Sequence, residues 1–134
     1  MQHTNIDLVE RLYGAYLQGD RESVVAAMDE GIRWHNSGFD ATAGTLEGTD
    51  AVLAYLMGEN HIEDYELRVT DMLASDERVA VIAETSGRLG DRAVVNSFVQ
   101  VLRIANGRIA EVHNYNWDQR GLAELMPAAE HVHA

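Results

Sequence analysis

The chain has 134 residues, 46% of them hydrophobic, enough for one domain with a core of its own. Ten basic residues, all arginine, stand against 22 acidic ones for a net charge of −12. That balance excludes the basic patch by which nucleic-acid phosphates or an anionic membrane would be held.

The absence of cysteine excludes a disulfide scaffold and a thiol nucleophile, and it suits a reducing compartment. The N-terminus lacks a basic start followed by an apolar stretch, and no run approaches the ~20 apolar residues of a membrane span. A cytoplasmic location is therefore expected.

Thr4-Asn5-Ile6-Asp7 reads as a capping box that starts a helix with Leu8, Val9, Leu12, Tyr13 and Tyr16 on one stripe. Gly19 is expected to stop it. Asp20 should cap a second, shorter helix through Val24, Val25, Ala27 and Met28, closed by Asp29-Glu30-Gly31. The bulky run Ile32 to Asn36 predicts a short strand, and Ser37 to Gly48 a loop with a brief strand near Thr45-Leu46. Thr49-Asp50 should cap a third helix over Ala51–Met57, ended by Gly58.

Beyond Asn60 the period changes to two. Strands are predicted from Tyr65 to Leu73 and from Val79 to Gly87, with turns at Ser75–Arg78 and Leu89–Asp91. A longer hairpin then turns on Asn106-Gly107, the strongest short hairpin signal available. In its first arm Asn96, Phe98, Gln100, Leu102 and Ile104 share one face, and Ser97, Val99, Val101 and Arg103 the other. In the second arm Val112, Asn114 and Asn116 lie opposite His113, Tyr115 and Trp117. Amides interleaved with apolar and aromatic groups on a sheet face suit the wall of a ligand pocket. Gly121 to Met126 should form one last helical turn, capped by Asp118 unless a bulge at Asn116 turns that acid into the pocket. The tail from Ala128 has no anchoring pattern. Helices first and a meandering antiparallel sheet after give an α+β class.

Four stretches carry a resemblance to the nuclear-transport-factor-2-like superfamily, in its SnoaL-like branch. They are LYGAYLQGDRESVVAAMDEGIRWHNSG, TLEGTDAVLAYLMG, DMLASDERVAVIAETSG and FVQVLRIANGRIAEVHNYNWD. The resemblance implies a single domain over residues 1–127 with a loose tail over 128–134. Its fold would be a cone-like, curved antiparallel sheet wrapped around N-terminal helices, with an internal, mostly apolar pocket. Relatives include ketosteroid isomerases, polyketide cyclases, dehydratases and epoxide hydrolases.

Transferred position by position, the isomerases' general-base carboxylate at the end of the first strand corresponds to His35. Their second oxyanion group corresponds to Gln100, their pocket tyrosine to Leu12 (one turn from Tyr16), and the cyclases' acid/base aspartate to Asn114. The Asp-Arg-Asp set of the epoxide hydrolases finds no counterpart. On this reading His35 is the base, with Gln100 and Asn114 as the other catalytic groups. Tyr16, Leu12, Phe98, Asn96 and Tyr55 would bind substrate, while Trp34 would point away from His35 and pack.

The expected function is a cofactor-independent isomerase, cyclase or lyase that moves a proton next to the carbonyl of a small hydrophobic molecule. A non-catalytic carrier of such a ligand is the alternative, and a dimerisation module a third. A homodimer is expected through the outer face bearing His113, Tyr115 and Trp117. No metal site is expected, because His35, His61 and His113 have no ligand spacing; at most His131 and His133 would pick up a stray ion.

Overall fold

The structure is a computed structural model describing residues 3–58 and 62–126. Helix α1 (Thr4–Gln18) begins one residue earlier than the capping box implies. His3 is the cap: its ring Nδ1 accepts from the backbone N–H of Asn5 at 3.0 Å, and its carbonyl accepts from Ile6 and Asp7. The Asn5 amide is thereby free to donate to the carbonyls of Ser75 and Asp76, tying the start of α1 to a turn of the sheet. Gly19 ends α1 in the left-handed conformation, and the Asp20 carboxylate caps α2 (Arg21–Ala26).

Strand β1 (Met28–Asn36) starts earlier than expected. Met28 and Ile32 are both fully enclosed, and the backbone from Ala27 already bonds to Ile109, so the segment expected to close a helix is strand with a register shift. Strand β2 (Gly44–Glu47) and helix α3 (Thr49–Met57) follow. Thr49 and Asp50 lie inside α3 rather than before it; Gly48 occupies the cap position without a side-chain bond.

The remaining elements are β3 (Glu63–Ala74), β4 (Arg78–Leu89), β5 (Arg92–Ala105), β6 (Arg108–Asn116) and α4 (Gln119–Leu125), with Asp118 capping α4 through the Gly121 N–H. The β5–β6 turn is Asn106-Gly107, both at positive φ (54° and 74°), as a two-residue hairpin turn with the right twist demands. Residues 127–134, including the expected loose tail with His131 and His133, lie outside the described residues, as does His61.

The strands form one curved, unclosed sheet in the order β2-β1-β6-β5-β4-β3. It is antiparallel except where β1 lies parallel to β6, a pairing that no local pattern announces. The core fills the space between this sheet and the helices: Val9 and Leu12 of α1, Val24, Ile32, Val52, Val81, Leu102, Ile109 and Val112. Each such side chain stabilises the fold by about 1.5–3 kcal/mol when taken fully out of water. The α+β class and the cone-like architecture are as expected. Among the described residues no helix is long and apolar enough to cross a membrane.

Candidate functional site

The core does not fill the whole interior. Toward the open end of the sheet a cavity of about 600 Å³ remains between α1, α3, α4 and the inner face of the strands. Along β5 and β6 the apolar core gives way to amides: Leu102 and Val112 are core, whereas Gln100, Asn114, Asn96 and Asn116 line the cavity. Leu12, Tyr16, Tyr55 and Phe98 line it too, so seven of the eight residues expected at the site meet around one space.

The eighth does not. His35 lies on the outer face of the sheet, where its Nε2 meets Glu111 Oε2 at 2.7 Å and its Nδ1 meets Thr45 Oγ1 at 2.8 Å. The cause is the alternation of β1 against β6. Trp34 pairs with Val112 and Asn36 with Asn114, so the even-numbered residues of both strands share the inner face and His35 and His113 share the outer. Trp34 does point opposite to His35, and that direction is inward: it is 3% exposed and lines the cavity. His35 is therefore not placed to act as a base there.

Four of the wall residues that sequence reasoning missed bear on the chemistry. Asn36 and Tyr13 belong to a chain of hydrogen bonds that crosses the sheet. Tyr13 OH donates to Gln100 Oε1 (2.8 Å), Gln100 Nε2 to Asn114 Oδ1 (2.8 Å), and Asn114 Nδ2 to Asn36 Oδ1 (2.7 Å). Asn36 Oδ1 also accepts from the Trp34 indole at 3.0 Å, and Asn36 Nδ2 donates to the carbonyl of Thr42. Every link is a neutral group satisfied by its neighbour, which lets so many amides sit in an apolar interior. Each primary amide nitrogen has two hydrogens, so Gln100 and Asn114 each retain one N–H beyond those bonds. Tyr65, the third, accepts from Tyr16 OH at 3.3 Å. Burial first, then the neighbouring Tyr16, pushes the Tyr13 phenol well above the usual range; burial first, then the closeness of the Tyr16 hydroxyl, does the same to Tyr65.

The fourth is Asp40, the one carboxylate lining the cavity among the described residues and only 3% exposed. It follows β1 by four residues, in the loop expected from Ser37 to Gly48. Its Oδ2 accepts from the backbone N–H of Thr42 and, at 2.6 Å, from the Thr42 hydroxyl, a local turn that fixes the carboxylate plane. Oδ1 has no hydrogen-bond partner. The loop is pinned on both sides, Ser37 N–H to the Asn114 carbonyl and Ala41 N–H to the Met126 carbonyl. Gly38 makes the bend at φ 101°, where a side chain would be strained. Near Asp40 stands Tyr55, whose phenol is raised by burial against a bond with Asn36 that lowers it, with Tyr16 and then Asp40 adding smaller raising effects. The signal for Asp40 was Asp-x-Thr after a strand rich in bulky residues; nothing local said that the loop folds inward.

Residues 9–112 match the SnoaL-like domain family. The chain belongs to that family. Among solved structures, the SnoaL-like chain is similar to Bal32a from a soil-derived mobile gene cassette, with 24% identity and a TM-score of 0.83 over 91% of this chain and 95% of that one. A nuclear-transport-factor-2-like protein of unknown function from Burkholderia pseudomallei K96243 is 26% identical, with a TM-score of 0.80 over 95% and 100% of the two chains. A candidate SnoaL-like polyketide cyclase from Jannaschia sp. CCS1 is 17% identical, with a TM-score of 0.75 over 89% of each. Likeness at the first and third of these identities carries the fold alone. No curated protein matches the sequence.

Proposed function

We propose that this SnoaL-like domain is an enzyme that moves a proton next to the carbonyl of a small, largely apolar molecule held in the cavity, with Asp40 as the base. The observation that carries this reading is the Asp40 carboxylate: buried among the residues of the cavity wall, held through Oδ2, and with Oδ1 enclosed and unpartnered. A buried carboxylate oxygen without a donor is costly unless something uses it.

In the step proposed, a turn of the Asp40 side chain brings Oδ1 into the cavity, where it takes the proton from the carbon beside the carbonyl; the C–H pair becomes the enolate C=C bond and the carbonyl π pair moves to the oxygen. The remaining N–H groups of Gln100 and Asn114 are the donors suited to that developing oxyanion, a role worth ~3–4 kcal/mol per good donor. The protonated Asp40 then returns its proton at another carbon for isomerisation, to the alkoxide formed when the enolate attacks a second carbonyl of the same molecule for cyclisation, or to the oxygen substituent that the enolate expels for elimination. The step requires a base and donors, and the wall supplies both. An aspartate–arginine–aspartate set for opening an epoxide is not assembled, since no arginine lines the cavity among the described residues.

The test is turnover of polycyclic enones and polyketide-like ketones by the unaltered protein and by Asp40→Asn, with ligand affinity measured alongside. Loss of turnover with affinity kept within a few fold is the expected result. Tight binding of ketones and hydrocarbons alike, with no product from either protein, would instead make the cavity that of a carrier.

A further inference from the structure

The outer face of the same strands holds a second cluster that the cavity does not use. Parallel pairing of β1 with β6 sets His35 opposite His113, their rings 4.4 Å apart and 25° from parallel. Glu111, two residues before His113 on the same face, reaches back to His35 Nε2 at 2.7 Å. One ligand atom from each of His35, Glu111 and His113 lies within 4.8 Å of the others, and all three residues are half-buried. We propose that these three side chains form a site for a divalent first-row transition ion of the Zn²⁺ type, bound on the sheet face opposite the cavity.

The donor set has the chemistry for it. Two imidazole nitrogens and one carboxylate oxygen suit zinc, nickel, cobalt or copper, whereas calcium and magnesium take oxygen ligands. Tetrahedral ligands with bonds of ~2.0–2.2 Å sit about 3.4 Å apart. The present separations therefore close on an ion through side-chain shifts of about 1 Å or a little more, with the strands in place.

The surroundings orient the ligands. Thr45 Oγ1 lies 2.8 Å from His35 Nδ1 and, by accepting from it, leaves Nε2 to face the ion. Arg103 Nε approaches Glu111 Oε1 at 3.6 Å, which occupies that oxygen and turns Oε2 toward the histidines. Without an ion His35 Nε2 lies against Glu111 Oε2; with one, the ring proton sits on Nδ1, facing Thr45, and Nε2 and Oε2 both face the ion. The side chains of His35 and Glu111 remain 22% and 25% exposed, so a fourth position is open to water. The net charge of −12 favours cation approach. An ion here would clasp β1 to β6, the two strands that carry Asn36 and Asn114 on their other side. The inference stands on this cluster and not on the proposed reaction.

The experiment is a titration of the full-length, chelator-treated protein with Zn²⁺, followed by calorimetry and by the histidine ring signals in NMR. One ion per chain is expected, with the His35 and His113 rings shifting together. The ring signals need no substitution and so are independent of any folding defect. His113→Gln and Glu111→Gln should each weaken binding tenfold or more, and Thr45→Val should weaken it about tenfold. A full-length His131→Ala, His133→Ala variant should bind as tightly as the parent, and Mg²⁺ or Ca²⁺ should not compete. Binding that survives both His113→Gln and Glu111→Gln, that vanishes in the tail variant, that yields to Mg²⁺ or Ca²⁺, or that is absent below millimolar Zn²⁺ overturns the proposal.

Discussion

Strands β1, β5 and β6 carry two different chemistries on their two faces, one residue apart. On the inner face Trp34, Asn36, Gln100 and Asn114 are linked by neutral hydrogen bonds and enclosed by helices. On the outer face Arg33 meets Glu47, Arg103 meets Glu111, and His35 meets Glu111, all with water nearby. Charges are tolerated where solvent screens them, and amides where each neighbour completes the next. Among the described residues Asn96 Oδ1 is a buried amide oxygen without a partner and Asp40 Oδ1 a buried carboxylate oxygen without one, and the carboxylate, which can take a proton, is the place to look for chemistry.

The sharpest way to break this contrast is kinetic. Asp40→Asn is expected to lower turnover by ~10²–10⁴-fold, and His35→Ala by only a few fold, read from kcat on a carbonyl substrate. The reverse order would return the base to the outer face.

Stability should separate the faces next. Leu102→Ala, inside and 0% exposed, is expected to cost ~2–5 kcal/mol in urea unfolding. Ile82→Ala, outside and 40% exposed, should cost about 1 kcal/mol or less. A larger, concentration-dependent loss at Ile82 would mean that a second copy covers this face in solution, as the homodimer expectation holds.

Smaller still is the effect of cutting the amide chain. Gln100→Met leaves the Tyr13 hydroxyl and Asn114 Oδ1 without their partner and should cost ~1–3 kcal/mol. An unchanged unfolding midpoint would show that water takes up both groups.

The pH dependence should differ in sign between the faces, with the smallest amplitude. Glu111 is lowered, chiefly by its bond from His35, with His113 and Arg103 adding to the effect. Its contribution is present above the ordinary carboxylate range of ~4.3 and is lost as pH falls through the lower folded value. Tyr13 and Tyr65 are raised, so theirs is complete below ~10 and is lost as pH rises beyond it. Glu111→Gln should flatten only the acid limb of a stability profile, and tyrosinate absorbance should lag behind that of an exposed tyrosine on the alkaline side.

Much of the cavity wall was legible. The Asn-Gly turn and strict alternation put Asn96, Phe98 and Gln100 on one face, and Asn114 with them, because period two leaves a strand no other choice. Helical spacing put Leu12 and Tyr16 on one stripe of α1, and the family resemblance assigned them to the pocket. His35 went wrong because its direction depends on how β1 registers with β6, some 75 residues later, as its contact with Glu111 shows (|i−j| of 76). Asp40 was invisible because an irregular loop has no period from which a direction can be read.

What the sequence by itself determined is what short-range rules govern: the elements, their faces, the hairpin, the family and hence the cone. Which face of β1 looks inward, whether an acid from a loop reaches the cavity, and which histidines become neighbours were decided only by tertiary structure. Those outcomes follow from strand pairing and loop closure between distant segments, where the energies that choose among alternatives come from contacts that no local stretch contains.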